Sequence, residues 1–204
     1  MTGSSEQNAR ILKIGQRHIL YDAALIEHPD EALFSPELAE SGLKTAEGRG
    51  DAIFYEYMGQ HLVLKHYHRG GLVARLNKDC YLGRRLDCTR SYKEFRLLER
   101  LQVLDLPAPV PVAASVIKTG LWYRADLVTR EIPGVETLAD ILLENALDQY
   151  SWEDIGTCIR RFHEHNVYHA DLNARNILIG DGDIHLIDFD KGAIRYIGDS
   201  WTAA

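Results

Sequence analysis

Three polar residues in the last third of the chain have the types and spacing that phosphoryl transfer requires. Asn176 lies five residues after Asp171, and Asp188 lies twelve residues after Asn176. Phosphoryl transfer has a loose transition state, so a protein contributes mainly by positioning the reacting groups and offsetting their charge. We expect Asp171 to orient an acceptor hydroxyl and take its proton. We expect Asn176 and Asp188 to hold Mg²⁺, which prefers oxygen ligands.

A predicted hairpin links the last two of these residues. The apolar runs Ile177–Ile179 and Ile184–Ile187 flank Gly180-Asp181-Gly182, and an Asp-Gly turn between apolar runs predicts a hairpin. This hairpin would bring Asp188 back towards Asn176. The order H-x-D-x-x-x-x-N and then D-F-x is the second half of the protein-kinase motif set. The alternative is a polar loop before an ordinary hairpin, but both motifs in this order favour catalysis.

The first half of a kinase requires a lysine on a strand and a glutamate on the following helix. The lysine reaches the nucleotide phosphates and the glutamate holds the lysine in place. Lys65 and Glu94, which are 29 residues apart, are the candidates. The alternatives are a solvent-facing strand lysine and a glutamate that serves only in a capping box with Ser91.

The elements that would position these residues follow from hydrophobic periodicity and turn residues. The first fifty residues show no clear pattern, and Pro29 and Pro36 would interrupt any long element. The predicted elements are strands Ala52–Tyr57 and Leu62–Tyr67, a helix from Thr89 or Ser91 to about Leu104, strands near Val112–Ile117 and Trp122–Thr129, and helices starting at Thr137 and Ser151.

Two other groups of residues have less specific patterns. Gly48 and Gly50 fall short of a full G-x-G-x-x-G, so they either let backbone amides approach phosphate or form an ordinary turn. His163 and His165 are two apart on a predicted helix and face different directions, which disfavours a zinc site with His169. His169 is expected to support the Asp171 loop.

Composition narrows the class of protein. The chain has 204 residues, 46% of them hydrophobic, and a net charge of −7. No apolar run approaches the ~20 residues that span a bilayer, and the polar start does not resemble a signal peptide. The three cysteines form no C-x-x-C pair, which is typical of reduced thiols in a cytosolic protein.

Charge is unevenly distributed along the chain. Residues 61–100 carry ten Lys and Arg against four Asp and Glu. This block favours an anionic partner or is simply a solvated face, and its few aromatic residues argue against nucleic acid. Arg69 and Arg75 in this block are candidates to bind the acceptor of the phosphoryl group, because guanidinium groups pair well with carboxylate and phosphate.

The motifs resemble those of bacterial 3-deoxy-D-manno-octulosonic acid (Kdo) kinases of lipopolysaccharide core assembly. The resemblance spans residues 45–195 and is carried by residues 66–75, residues 169–174 and residues 188–191. It implies ATP-dependent phosphorylation of the 4-hydroxyl of Kdo on Kdo–lipid A, at the cytoplasmic face of the inner membrane of Gram-negative bacteria. The implied association with the membrane is peripheral. Asp171 would be the catalytic residue, with Asn176 and Asp188 as metal ligands.

The predicted fold is α+β, a two-lobed protein-kinase-like fold that forms one kinase-like domain overall. Residues 1–131 would form the N-lobe, with an antiparallel nucleotide-binding sheet and the Glu94 helix. Residues 132–204 would form a helical C-lobe, which we expect to be truncated because only fourteen residues follow Asp190. Asp190 replaces the glycine of D-F-G, and either a metal-assisting or a solvent-facing role is open.

Two other functions compete with this interpretation. One is another small-molecule phosphotransferase, of the aminoglycoside or choline kinase kind, against which the segment from Arg69 to Arg75 argues. The other is a kinase-like binding protein without activity, which the short C-terminus favours and the intact catalytic residues disfavour. The sequence does not indicate an oligomeric state.

Overall fold

A computed structural model describes residues 8–38, 44–45, 52–67, 86–119, 122–144, 152–180 and 182–195. The chain divides into two compact units. The first unit contains Met1–Glu99 and Pro109–Ile132, and the second contains Arg100–Ala108 and Pro133–Ala204. The main division therefore lies one residue after the predicted boundary at 131, and the segment Arg100–Ala108 groups with the second unit.

A seven-stranded antiparallel sheet forms the first unit, with strand order β1-β2-β6-β7-β5-β4-β3. All four strands that the sequence predicts for this unit are present. Their bounds differ from the predicted ones by at most two residues. The strands are β1 (Ala9–Ile14), β2 (Arg17–Asp22), β3 (Lys44–Thr45), β4 (Ala52–Tyr57), β5 (Gln60–Tyr67), β6 (Pro111–Thr119) and β7 (Trp122–Arg130).

The N-terminal segment is more regular than the sequence predicts. The expectation that the first fifty residues lack a clear pattern is wrong, because β1 and β2 form a hairpin in which Ile14 is paired with Arg17. Gly15 in the turn has φ of +56°, a conformation that glycine adopts without steric cost. Two short 3-10 turns follow, at Ala32–Phe34 and Pro36–Leu38.

One hydrophobic cluster of the first unit lies on one face of the sheet. Leu62 and Leu64 of β5 are fully buried there, together with Ile19 of β2. Leu33 and Phe34 from the first 3-10 turn belong to the same cluster. Because side chains alternate along a strand, Lys65 and Tyr67 point to the opposite face of β5.

The helix α1 (Arg90–Val103) follows the predicted pattern, since its apolar stripe is buried. The helix starts before Ser91, so Ser91 does not cap it; the Ser91 hydroxyl donates to the carbonyl of Ser115 instead. Thr89 precedes the helix, and its hydroxyl donates to the Leu86 carbonyl. The buried stripe consists of Tyr92, Phe95, Leu98 and Leu101.

The second unit combines short helices with two small sheets. The predicted hairpin is present, with Ile177 paired with Leu186 and Ile179 paired with Ile184. The segment Arg100–Ala108 joins this unit because the Leu186 amide donates to the Pro107 carbonyl. The elements are β8 (Val135–Thr137), α2 (Leu138–Leu143), α3 (Trp152–Glu164), β9 (Val167–Tyr168), β10 (Ile177–Gly180), β11 (Ile184–Leu186) and β12 (Ala193–Ile194).

A local hydrogen bond explains where α2 begins. The Thr137 hydroxyl accepts from the Asp140 amide at 3.1 Å, which is the predicted helix cap. The cap predicted at Ser151 lies outside the described residues, although α3 begins directly after it. Among the described residues, no helix is long and apolar enough to span a bilayer.

Candidate active site

An ion pair joins β5 to α1 in the first unit. Lys65 Nζ lies 3.2 Å from Glu94 Oε1 and 3.0 Å from Glu94 Oε2. The Glu94 side chain is only 4% exposed and the Lys65 side chain 26% exposed. A carboxylate this deeply buried requires a charged or hydrogen-bonded partner, so the pair fixes the lysine rather than leaving it in solvent. The role of the pair in nucleotide binding stays a prediction.

A tyrosine that the sequence analysis did not single out completes this pair. The Tyr67 hydroxyl donates a hydrogen bond to Glu94 Oε2. The Lys65 ammonium lies 4.9 Å from the centre of the Tyr67 ring, and the Arg90 guanidinium lies 5.0 Å from it. The pattern in the sequence that points to this residue is its position two residues after Lys65, which puts both side chains on one face of β5.

The loop between β9 and β10 in the second unit carries Asp171. Asn176 Nδ2 donates to the Asp171 carbonyl at 2.8 Å, across five residues of chain. That carbonyl can only accept, so the amide nitrogen of Asn176 must face it and Oδ1 must lie on the other side of the amide group. Asn176 is therefore held by the loop in an orientation that leaves its oxygen directed away from Asp171.

A second asparagine, also missed by the sequence analysis, braces the same loop. Asn173 Nδ2 donates to the Asp171 carbonyl at 3.1 Å, and Asn173 Oδ1 accepts from the Arg175 amide at 2.9 Å. This is the local side-chain bonding that asparagine favours in turns. The backbone of Asp171 is fixed by these contacts while the residue itself is exposed.

His169 supports the Asp171 loop, as the sequence predicts. His169 Nε2 lies 2.8 Å from the Ile187 carbonyl, which can only accept a hydrogen bond. His169 Nδ1 accepts from the Asp171 amide at 3.3 Å. These two partners assign the proton to Nε2 and leave Nδ1 unprotonated. The histidine thereby connects the loop to the segment that leads to Asp188.

The backbone at Asp188 has an unusual conformation and is followed by a buried phenylalanine. Asp188 has φ of +62°, in a region that residues other than glycine seldom occupy and that costs about 1 kcal/mol or more. Phe189 is almost fully buried. The centre of its ring lies 5.7 Å from the centre of the Phe162 ring and 4.7 Å from the centre of the His169 ring. Burial of this phenylalanine therefore stabilises the unusual backbone of the residue before it.

Backbone contacts bring the two predicted metal ligands into one segment of structure. The Ile187 amide, directly before Asp188, donates to the Asn176 carbonyl at 3.0 Å. The Asp190 amide donates to Asp188 Oδ1 at 3.4 Å, so the residue in place of the D-F-G glycine supports that carboxylate through its backbone. The hairpin therefore brings the backbone of Asn176 beside the residue that precedes Asp188, and the joint binding of a metal by the two side chains stays a prediction.

The donor set of this segment fits a magnesium ion. It offers one amide oxygen, from Asn176, and one carboxylate, from Asp188. Elsewhere in the described part of the chain, no group of three or more His, Cys, Asp or Glu could hold a metal. Mg²⁺ is commonly bound by one or two carboxylates, with water and substrate phosphates completing its shell. Asn176 and Asp188 therefore match the chemistry of a metal that arrives with a nucleotide.

Four predicted site residues lie outside the described residues. These are the candidate phosphate-loop glycines, Gly48 and Gly50, and the candidate acceptor-binding arginines, Arg69 and Arg75. Their roles stay predictions.

Comparisons with known proteins agree with the chemistry of these residues. A model of the lipopolysaccharide kinase (Kdo/WaaP) family matches residues 37–204. Proteins named 3-deoxy-D-manno-octulosonic acid kinase are similar to the chain. The one from Stenotrophomonas maltophilia (strain K279a) is 43% identical over 186 residues, which cover 90% of this chain and 74% of the relative. The one from Vibrio cholerae serotype O1 is 38% identical over 190 residues, covering 91% of this chain and 80% of the relative.

A solved structure supports the fold. The structure described as WaaP in complex with acyl carrier protein has a TM-score of 0.51 and is 12% identical, covering 84% of this chain and 69% of that one. At this identity the likeness shows the fold alone. The α+β, kinase-like fold predicted from the sequence is confirmed. The chain therefore belongs to the lipopolysaccharide kinase (Kdo/WaaP) family and is a kinase, a phosphotransferase that uses ATP.

Proposed function

We propose that this kinase transfers the γ-phosphoryl group of ATP to the 4-hydroxyl of Kdo on Kdo–lipid A, in assembly of the lipopolysaccharide inner core. The proposal is supported by the relatives that carry the Kdo kinase name at 38–43% identity. It is also supported by the intact set of chemical groups, since a base and two oxygen ligands are present. The names of these relatives point to neither of the competing functions.

One observation carries the proposal most directly: the Asp171 loop is fixed through its backbone while Asp171 itself is exposed. The Asp171 carbonyl accepts from two asparagine side chains, and its amide donates to His169. The carboxylate of an exposed residue can approach an acceptor hydroxyl directly. A base held in place by its own backbone loses little freedom when the acceptor binds, which favours reaction.

The roles of the remaining residues follow from their chemistry. Lys65, held by Glu94, would bind the phosphates of ATP as a compact positive charge. Asn176 and Asp188 would hold Mg²⁺, which when bound offsets the negative charge of the phosphates. Asp171 would orient the acceptor hydroxyl and receive its proton as the oxygen attacks phosphorus, and ADP would leave with the bridging oxygen.

The acceptor also suggests where the enzyme works. Lipid A is anchored in a bilayer, so a kinase that acts on it must reach the membrane surface. Because ATP is available in the cytoplasm, that surface would be the cytoplasmic face of the inner membrane. We propose peripheral association there, supported by the basic block at residues 61–100. Arg69 and Arg75 in that block would bind the Kdo carboxylate or the lipid A phosphates.

A comparison of acceptors tests this function. The purified protein is incubated with ATP and Mg²⁺ and with Kdo–lipid A, an aminoglycoside or choline, and each product is weighed by mass spectrometry. We expect a gain of one phosphate on Kdo–lipid A alone, and NMR of that product to locate the phosphate on the 4-oxygen of Kdo. Phosphorylation of an aminoglycoside or choline, but not of Kdo–lipid A, would refute the proposal.

A further inference from the structure

Tyr67 contacts both members of the partly buried ion pair between Lys65 and Glu94. Lys65 and Tyr67 are two residues apart on β5, so their side chains leave the same face of the strand. The Tyr67 hydroxyl donates to Glu94 Oε2, the same oxygen that lies 3.0 Å from Lys65 Nζ. The tyrosine therefore shares one carboxylate oxygen with the lysine that we assign to ATP.

The carboxylate needs such a partner because the lysine alone does not fix its orientation. The terminal torsion of a glutamate side chain is broad, without sharp staggered minima. An ammonium group acts as a compact point charge with three rotatable donors, so it attracts a carboxylate without selecting one plane. A phenolic hydroxyl on a rigid ring donates in one direction and does select it. Glu94 is only 4% exposed, so water contributes little to its orientation.

The aromatic ring of Tyr67 provides a second contact, to the lysine itself. Lys65 Nζ lies 4.9 Å from the centre of the ring, within the range of a cation–π interaction. The Arg90 guanidinium lies 5.0 Å from the same ring. Arg90 and Glu94 are four residues apart and so lie on one face of α1. The Tyr67 ring therefore contacts charged groups from both a strand and a helix. These contacts restrict the motion of the ring.

We propose that Tyr67 is a positioning residue for phosphoryl transfer. Its hydroxyl fixes the Glu94 carboxylate and its ring guides the Lys65 ammonium, so that Lys65 is held in one place for the phosphates of ATP. This inference rests on the proposed function only in assigning Lys65 to ATP. It does not depend on the identity of the acceptor.

Replacing Tyr67 by phenylalanine tests the hydroxyl while keeping the ring. We expect Tyr67→Phe to raise the KM for ATP about tenfold, the change that follows from losing a hydrogen bond to a charged group. The KM for the acceptor should change by less than twofold. Tyr55→Phe is the matched control, because Tyr55 is a tyrosine of the same unit whose hydroxyl donates to a different acceptor, the Leu33 carbonyl. We expect this control to lower the melting temperature without changing the KM for ATP.

A double-variant comparison separates positioning from simple stabilisation. ATP binding is measured directly by calorimetry for the unaltered protein, Tyr67→Phe, Lys65→Ala and the double variant. If Tyr67 acts through Lys65, Tyr67→Phe weakens ATP binding about tenfold in the unaltered protein and has no further effect when Lys65 is absent. An equal loss in both backgrounds, or no loss in either, would overturn the inference.

The same measurements distinguish this inference from the proposed function. ATP binding needs no acceptor, so a protein that fails to phosphorylate Kdo–lipid A can still show the coupling between Tyr67 and Lys65. In that case the acceptor assignment fails and the positioning role stands. Phosphorylation of Kdo–lipid A without any coupling would instead support the acceptor assignment and overturn the positioning role of Tyr67.

Discussion

His169 and Ile187 are joined by a hydrogen bond of 2.8 Å from the imidazole Nε2 to the backbone carbonyl, across 18 residues of chain. The other imidazole nitrogen accepts from the Asp171 amide. One side chain therefore sets the spacing between the loop that carries the proposed base and the segment that precedes Asp188. We expect the histidine to influence the reaction through these backbone contacts.

Removing this histidine should slow catalysis. We expect His169→Ala to lower kcat on the order of 10²-fold, because a misplacement of about 1 Å of a reacting group has that effect. The matched control is His165→Ala, since His165 is exposed and its imidazole bonds to the Arg161 carbonyl, four residues earlier in the chain. Steady-state kinetics and the melting temperature are measured for both variants. Equal kcat values in the two folded variants would contradict this role.

The amide group of Asn176 is predicted to be essential for the loop as well as for metal binding. In Asn176→Asp, a carboxylate oxygen would replace Nδ2 and face the Asp171 carbonyl, which is also an acceptor. Replacing this part-buried hydrogen bond by two acceptors that face each other should cost about 1–3 kcal/mol of unfolding free energy. Urea unfolding measures the loss. A Mg²⁺ titration of activity should show a higher metal requirement, because repulsion from the Asp171 carbonyl turns the side chain out of the orientation that presents its oxygen to the metal.

The control for this variant is Asn173→Asp, which alters the more exposed asparagine that bonds to the same carbonyl at 3.1 Å. It should cost less stability and leave the metal requirement unchanged. If Asn176→Asp is as stable as the unaltered protein and needs no more Mg²⁺, both roles assigned to Asn176 are wrong.

Stability should fall in mild acid because of His185 on β11. Burial lowers the pKa of His185 below its ordinary value of 6.5, with an opposing effect from Asp183. The unfolded chain then binds a proton more readily than the folded protein does. The contribution of neutral His185 to stability is therefore fully present above about pH 6.5, and it is lost as the pH falls below that value towards the folded-state pKa.

The test compares melting temperatures between about pH 7.5 and pH 5.5, the range that brackets the ordinary histidine pKa. We expect His185→Gln to lose less stability over this range than the unaltered protein. His163→Gln, which alters an exposed histidine on α3, should behave like the unaltered protein. A loss in His185→Gln that matches the unaltered protein would exclude His185 as the cause.

The sequence predicts those elements whose hydrophobic pattern and turn residues agree with their burial in the fold. The β10–β11 hairpin has apolar runs on both sides of an Asp-Gly turn, so its turn chemistry and its burial favour the same structure. The Lys65–Glu94 pair was predictable because strand and helix assignments place the two residues within reach. The supporting role of His169 was predictable because it lies only two residues before Asp171, on the same loop.

Other parts depend on contacts that no local pattern reveals. β1 and β2 carry charged residues among their apolar ones, and their pairing is stabilised by β6 about 95 residues further along the chain. Tyr67 lies in a predicted strand, but its bond to Glu94 depends on where α1 packs. Asn173 has the composition of any loop residue, and only the path of the backbone shows that it braces Asp171.

The most direct test of this account is the rate of a single turnover with radiolabelled ATP and Kdo–lipid A. The unaltered protein is compared with Asp171→Asn and with Asp183→Asn, which alters an exposed aspartate on the turn of the hairpin. We predict that Asp171→Asn lowers the rate of transfer by about 10²- to 10⁴-fold, as expected for loss of a general base, with unchanged ATP affinity. Asp183→Asn should transfer at the normal rate. Transfer by Asp171→Asn at the rate of the unaltered protein would contradict the assignment of Asp171 as the base.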